Sequence, residues 1–229
     1  GLTNVTRIAA GRYHSLAGKA DGTVWAWGWN FYGQLGNGSN NDSSVPVLAP
    51  MVNGVCVPVP PMVCPTAPDV QALAAGSQHS LVQLSDLYVW GWGDNFRGQI
   101  GNGVGAAGST SPIQMGALLN GTGFRQFAAG SEFNMALKMD GTILMWGTNA
   151  QDVLGVNLGA PSTPTPTAIP TLSGVTQVTA GFEHALALKS DGTVWGWGRN
   201  TFGQVTGNYS IVSTPAQTGF QSGAFLTGV

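Results

Sequence analysis

The chain has 229 residues, enough for one substantial hydrophobic core and with no need for a second domain. Eight basic and ten acidic side chains give a net charge of −2 without a run of either sign, which excludes the electrostatic footprint of a nucleic-acid or anionic-membrane binder. Hydrophobic residues make up 43% of the chain, but 35 glycines and 13 prolines cut them into pieces suited to short strands, and no stretch approaches the ~20 apolar residues of a membrane-spanning helix.

From the amino end, Asn4-Val5-Thr6-Arg7-Ile8-Ala9 reads as a strand leading to Gly11. Residues 9–36 then recur without a gap at 74–101, 128–155 and 179–206, with Gly11, Gly76, Gly130 and Gly181 in register. An aspartate follows each of these glycines at a fixed distance (Asp21, Asp86, Asp140, Asp191). A Trp-Gly pair comes next (Trp27-Gly28, Trp92-Gly93, Trp146-Gly147, Trp197-Gly198), then an asparagine (Asn30, Asn95, Asn149, Asn200). Such a period is the signature of a repeat architecture. Repeats are read over about 1–69, 70–123, 124–174 and 175–229, all within a single region 1–229.

Within a repeat, an apolar run such as Leu186-Ala187-Leu188 meets Asp191-Gly192 and then Val194-Trp195-Gly196-Trp197, which predicts a hairpin closed by a tight primed turn. The aspartates are turn formers in this reading, accepting local backbone N–H groups. Alternation places Trp195 and Trp197 on one sheet face with Val194 and Gly196 on the other, so bulky faces are expected to fill the space beside small residues of the next sheet. His14, His79 and His184 share one position and are expected to hydrogen-bond inside each repeat. The third copy departs most, with Phe133 for the histidine and Leu144 for the first tryptophan, and the second has Leu87 for the turn glycine.

This pattern resembles the regulator of chromosome condensation repeat, carried here by Gly11, His14, Asp21, Gly22, Trp25, Trp27, Gly28, Asn30, Gly33, Gln34 and Gly36. The resemblance implies an all-β propeller with one four-stranded blade per repeat, in a family whose closed ring usually has seven blades. Four repeats are therefore expected to be part of a larger propeller, the alternatives being a four-bladed ring or an open arc completed by further chain. The closing Leu226-Thr227-Gly228-Val229 parallels Leu172-Ser173-Gly174-Val175, where the next repeat begins.

The first repeat carries a proline-rich insertion at 49–69, read as a projecting loop. Its Cys56 and Cys64, with seven residues between them, could close it by a disulfide worth about 2–3 kcal/mol. Two cysteines with no nearby histidine are a poor zinc set. Few lysines, many Ser, Thr and Asn, and this pair point to an extracellular or cell-surface protein.

No phosphate loop, nucleophile elbow, zinc helix or calcium loop occurs, so neither catalysis, a cofactor nor a metal is expected. Glu132 and Glu183 share a position and are read as decorating a propeller face. Specificity in repeat proteins lies where copies differ, here the pair after each anchor glycine and the residues around each asparagine. Aromatic and arginine side chains there select Trp29, Phe31, Phe96, Arg97 and Arg199 as partner-binding residues. The expected function is a non-catalytic interaction or scaffold module, with protein partners that include copies of itself or a filament. The resemblance adds two alternatives, a guanine nucleotide exchange factor for a small GTPase and an inhibitor of a secreted hydrolase such as a β-lactamase.

Overall fold

The computed structural model describes residues 1–51, 68–115 and 123–219. These residues form four antiparallel sheets, each of four strands in chain order. The first holds β1 (Val5–Ala10), β2 (His14–Lys19), β3 (Val24–Gly28) and β4 (Ser43–Ala49), and the second β5 (Val70–Ala75), β6 (His79–Leu84), β7 (Val89–Gly93) and β8 (Ser109–Gln114). The third holds β9 (Phe124–Ala129), β10 (Phe133–Lys138), β11 (Ile143–Thr148) and β12 (Ser162–Ala168), and the fourth β13 (Val175–Ala180), β14 (His184–Lys189), β15 (Val194–Gly198) and β16 (Val212–Gln217). The inner strands β1, β5, β9 and β13 lie side by side in succession, so the sheets are the blades of an all-β propeller. Among the described residues the arc is open, because Ile8 on β1 is 78% exposed whereas the equivalent Leu73 is half-buried and Phe127 and Val178 are 6% and 3% exposed. Cys56, Cys64 and most of the proline-rich insertion lie outside the described residues.

The middle hairpin of each blade differs from the expected two-residue primed turn. Gly22 N–H bonds to the Lys19 carbonyl at 3.0 Å and Lys19 N–H to the Thr23 carbonyl at 2.9 Å. Only the glycine of this loop has positive φ, at 78°. That is a three-residue loop, a type I turn followed by a left-handed residue. The aspartate serves it as expected, Asp21 Oδ1 accepting from Thr23 N–H at 3.1 Å and Thr23 Oγ1 at 2.5 Å. The threonine hydroxyl in turn accepts the Trp25 indole N–H, and Thr193 does the same for Trp195. The second blade keeps the aspartate, Asp86 Oδ1 accepting Tyr88 N–H at 3.1 Å, but has neither the glycine nor the threonine. Leu87 takes the glycine's place at φ 67°, and Tyr88 replaces the threonine, so the buried Trp90 indole N–H has no partner.

Blades are locked together by a repeated joint. The loop after β3 folds around Asn30, whose Oδ1 accepts Leu35 N–H at 2.8 Å and whose Nδ2 donates to the Ser39 and Asn41 carbonyls. The Gln34 carbonyl, thus presented to the second blade, accepts the Trp92 indole N–H at 2.8 Å and the Ser80 hydroxyl at 2.9 Å. The Gln99 carbonyl likewise accepts Trp146 Nε1 and Asn134 Nδ2, both at 2.9 Å. At the last joint the Val153 carbonyl takes Trp197 Nε1 at 2.8 Å, and Ala185 stands in place of the second donor.

Two expectations are corrected by this geometry. The small partners of the tryptophans are loop residues, not the thin strand face. Gly36, Gly101 and Gly155 have positive φ and lie under Trp92, Trp146 and Trp197, a Cβ on Gly36 falling 2.7 Å from the indole nitrogen. The thin strand face instead makes room for the blade's own loop, Gly91 against Ile100 and Gly196 against Val205. The histidines also act between blades and not within them, because their rings reach past the blade edge. His14 Nε2 lies 2.8 Å from Ser80 Oγ and His79 Nε2 lies 2.7 Å from Asn134 Oδ1. Since Ser80 spends its proton on Gln34 and Asn134 Oδ1 can only accept, both imidazoles donate from Nε2. Where the histidine becomes Phe133, the facing residue becomes Ala185, so the third joint is apolar on both sides.

His79→Phe alone strands a buried Asn134 oxygen and is expected to cost about 2–3 kcal/mol. Adding Asn134→Ala copies the third joint and restores at least about 1 kcal/mol of that loss, read as the coupling in a double-mutant cycle of urea unfolding; additive losses contradict the pairing. Burial, and then the nearby His79, hold the His14 pKa down at about 3, and burial lowers His79 as well. The unfolded chain takes up these protons near pH 6.5 while the fold keeps the rings neutral. Stability is therefore full above about pH 6.5 and, for His14, falls toward pH 3 by about 1.4 kcal/mol per pH unit, with His79 acting in the same direction. His14→Phe with Ser80→Ala removes one histidine's share of that slope in urea titrations between pH 7 and pH 4.5; an unchanged slope contradicts the assignment.

Candidate protein-interaction face

Both variable segments of each blade open on one face of the propeller, because backbone bonds tie them together. Trp29 N–H donates to the Tyr13 carbonyl at 2.9 Å, Asp94 N–H to Gln78 at 2.7 Å, Thr148 N–H to Glu132 at 2.9 Å and Arg199 N–H to Glu183 at 2.8 Å. The recurrent Trp-Gly glycine makes the approach possible. A Cβ on Gly28 would fall 2.4 Å from the Tyr13 carbonyl oxygen, and its φ of 113° is closed to most side chains. Inner-strand ends add a second tie, with Arg12 N–H on the Gly76 carbonyl, Ser77 N–H on Ser131 and Ser131 N–H on Phe182. A cleft of about 320 Å³ opens at the axis between these ends.

Blade 1 carries an aromatic cluster on this face. Trp29 stacks on Phe31 at 6.0 Å between centroids with planes 10° apart, and meets Tyr13 and Tyr32 edge-on at 5.3 and 5.6 Å. The Arg12 guanidinium lies 4.8 Å from the Tyr13 ring and 5.3 Å from Phe182, joining blade 1 to blade 4 across the axis. Blades 2 to 4 are more polar. Arg97 faces Glu132 at 3.9 Å across a blade boundary, and Arg199 pairs with Glu183 at 2.7 Å while lying over Phe202 at 5.6 Å. Burial raises the Glu132 pKa, Asp94 and Glu183 push the same way, and Arg97 opposes them. Glu132 and Glu183 both lie on this face, each beside an arginine.

All five residues selected from the sequence lie on this face. Phe31, Phe96 and Arg97 are exposed, Trp29 is the half-buried base of the stack, and Arg199 is half-buried in its ion pair. The sequence reading passed over Arg12, Tyr13, Phe182 and Phe202, which are equally outward and differ between copies in the same way. At the position of Trp29 the second blade has Asp94, which accepts Gln99 Nε2 at 2.9 Å. Blade 1 has an aromatic ring in place of that acceptor, and its buried Gln34 Nε2 has no partner. Among the described residues no group of three or more His, Cys, Asp or Glu is placed to hold a metal, and no helix is long and apolar enough to cross a membrane.

The sequence matches the profile of the "Regulator of chromosome condensation (RCC1) repeat" over residues 21–83, 88–137 and 140–188, well over half its length, and a second profile of the same repeat over 5–34, 70–99 and 175–204. The chain belongs to this family. Among RCC1-repeat relatives it is 33% identical over 199 residues to the human E3 ubiquitin-protein ligase HERC2, covering 86% of this chain and 4% of that protein. It is 30% identical to the ultraviolet-B receptor UVR8 of Arabidopsis thaliana, covering 94% of this chain and 46% of the receptor. Crystal structures of human WBSCR16 and of yeast RCC1 (Prp20) bound to Kap60 superpose with TM-scores of 0.77 and 0.73 at 25% identity, over 93% of this chain and 52% and 48% of theirs. The chain thus spans about half of these solved propellers, and less than half of those two relatives.

Proposed function

We propose that this RCC1-repeat arc is a non-catalytic protein-interaction module that binds through the loop face described above. One observation carries the reading. Aromatic rings that a fold would ordinarily bury stand outward together on this face, with Phe31 63%, Phe96 65%, Phe182 53% and Phe202 79% exposed among arginines. Large exposed apolar groups gathered on one side mark binding surfaces, and aromatic and arginine side chains dominate their energetics. The loops bearing them are held by the blade joints, so little ordering cost falls due on binding. Yeast RCC1, solved with Kap60, is a relative of this fold with a protein partner. Against catalysis stands the use of His14 and His79 as neutral, buried structural groups.

Phe31→Ala, Phe96→Ala and Arg97→Ala combined are expected to weaken binding of any protein that the wild-type chain captures from its source by at least about tenfold, with the thermal midpoint unchanged. Binding that survives the triple change in surface plasmon resonance overturns the face. The compartment proposed is extracellular or the cell surface, supported by the scarcity of lysine and the close cysteine pair. Peptide mapping of native material without reductant is expected to find Cys56 linked to Cys64, and two free thiols overturn that placement.

A further inference from the structure

Five Asn-x-Ser/Thr triplets occur in the chain, beginning at Asn4, Asn37, Asn41, Asn120 and Asn208, and this is the pattern that accepts N-linked sugars. Asparagine and serine are turn residues too, so a triplet carries information only where the fold does not already require its asparagine. The repeat allows that distinction, because each position can be compared with its equivalents in the other blades. Asn120 lies outside the described residues.

Three of the other four are products of the scaffold. Asn37, Asn102, Asn157 and Asn208 play one role in the four blades, each side-chain oxygen accepting the N–H two residues on, from Ser39, Val104, Gly159 and Ser210 at 3.2–3.3 Å. Val104 and Gly159 show that this turn needs no hydroxyl at its end, so the triplets at Asn37 and Asn208 follow from the turn asparagine alone. Asn4 has a φ of 57° where the fourth blade has Gly174 at 70°, and asparagine is among the few side chains suited to that left-handed place. Its carbonyl accepts Ala20 N–H as that of Gly174 accepts Ser190 N–H, both at 2.9 Å. The Thr6 hydroxyl of this triplet donates to the Gly18 carbonyl, as Thr176 does to Leu188.

Asn41 has no such account. Its N–H donates to Ser39 Oγ at 3.3 Å, its carbonyl accepts Asn30 Nδ2 at 3.0 Å, and Asp42 beside it accepts Asn30 N–H at 2.8 Å. The backbone is thus fixed while the Asn41 side chain is exposed and has no hydrogen-bond partner among the described residues. Strand pairing aligns Ser43 with Ser109 and Thr163, which makes Ala107 and Pro161 the equivalents of Asn41 in blades 2 and 3. Both are exposed, so the place faces outward in inner blades as well and the fold requires no amide there. We propose that Asn41 is a site of N-linked glycosylation. Its Nδ2 attacks the anomeric carbon of a lipid-linked oligosaccharide: the C–N bond forms, the C–O bond to the lipid pyrophosphate breaks, and one Nδ2 proton passes to a base of the transferase. Asn40 donates to the Phe31 carbonyl at 2.8 Å, so the sugar stands at the rim of the aromatic cluster of blade 1. The inference rests on the extracellular or surface placement proposed above, which brings a chain to that transferase.

The test is peptide mass mapping of native material after treatment, in heavy-oxygen water, with the amidase that releases N-linked glycans and leaves aspartate behind. The expected result is heavy-oxygen aspartate at position 41, with Asn4, Asn37 and Asn208 unlabelled. Label at those three and none at Asn41 overturns the proposal. So does an unlabelled Asn41 in material whose Cys56 and Cys64 are linked, which leaves the placement standing. An unlabelled Asn41 together with two free thiols overturns both. Asn41→Gln, made in the same source, is expected to match the mass of the deglycosylated wild type apart from the substitution itself, and to keep its thermal midpoint because the backbone bonds remain; a variant that retains the glycan mass contradicts the assignment.

Discussion

A single main-chain carbonyl per blade, held out by a folded loop and capped by the next blade's indole N–H, is the contact on which the rest of the arc depends. A buried carbonyl has two lone pairs and costs about 1–3 kcal/mol if left unmet. At Gln34 and Gln99 both are used, one by tryptophan and one by serine or asparagine. The same contact buries the largest side chain available, so hydrophobic gain and hydrogen-bond satisfaction require one geometry. That explains why the loop must be glycine-lined under the ring and why an asparagine must fold it.

The joint also accounts for the separation of scaffold and surface. The invariant residues all serve the turn, the loop or the blade boundary, which leaves the residues immediately beside them free to vary. Because Trp29 N–H, Asp94 N–H, Thr148 N–H and Arg199 N–H each hold the neighbouring loop by its carbonyl, that variation is displayed on a rigid frame. Blade 1 shows how such freedom is used. Where blade 2 has the internal Asp94–Gln99 bond, blade 1 has Trp29 and a four-ring cluster, with a glutamine amide unmatched inside.

The blades were legible because period and alternation are properties of the chain itself, and the four copies align residue for residue. The turn type was missed because Asp-Gly serves both a primed two-residue turn and the last two places of a three-residue loop; only the backbone bonds from Lys19 separate them. The roles of His14 and His79 were misplaced for a different reason. Their partners Ser80 and Asn134 lie one repeat onward, and the sequence aligns copies with one another without saying which positions touch across a boundary. The Phe133 and Ala185 exchange was the available signal, since both changed from polar to apolar in adjoining repeats. The face residues were found by variability, yet Tyr13, Phe182 and Phe202 vary as much and were passed over, because exposure is fixed by the fold and not by composition.

Indole proton exchange tests the central contact most directly. In a 15N-tryptophan sample, the Nε1 protons of Trp92, Trp146 and Trp197 should resist exchange with deuterium for far longer than those of Trp25 and Trp195, which bond to threonine hydroxyls at the half-exposed hairpin. Equal and rapid exchange of all five would mean that the blades are not held by their indole-to-carbonyl bonds.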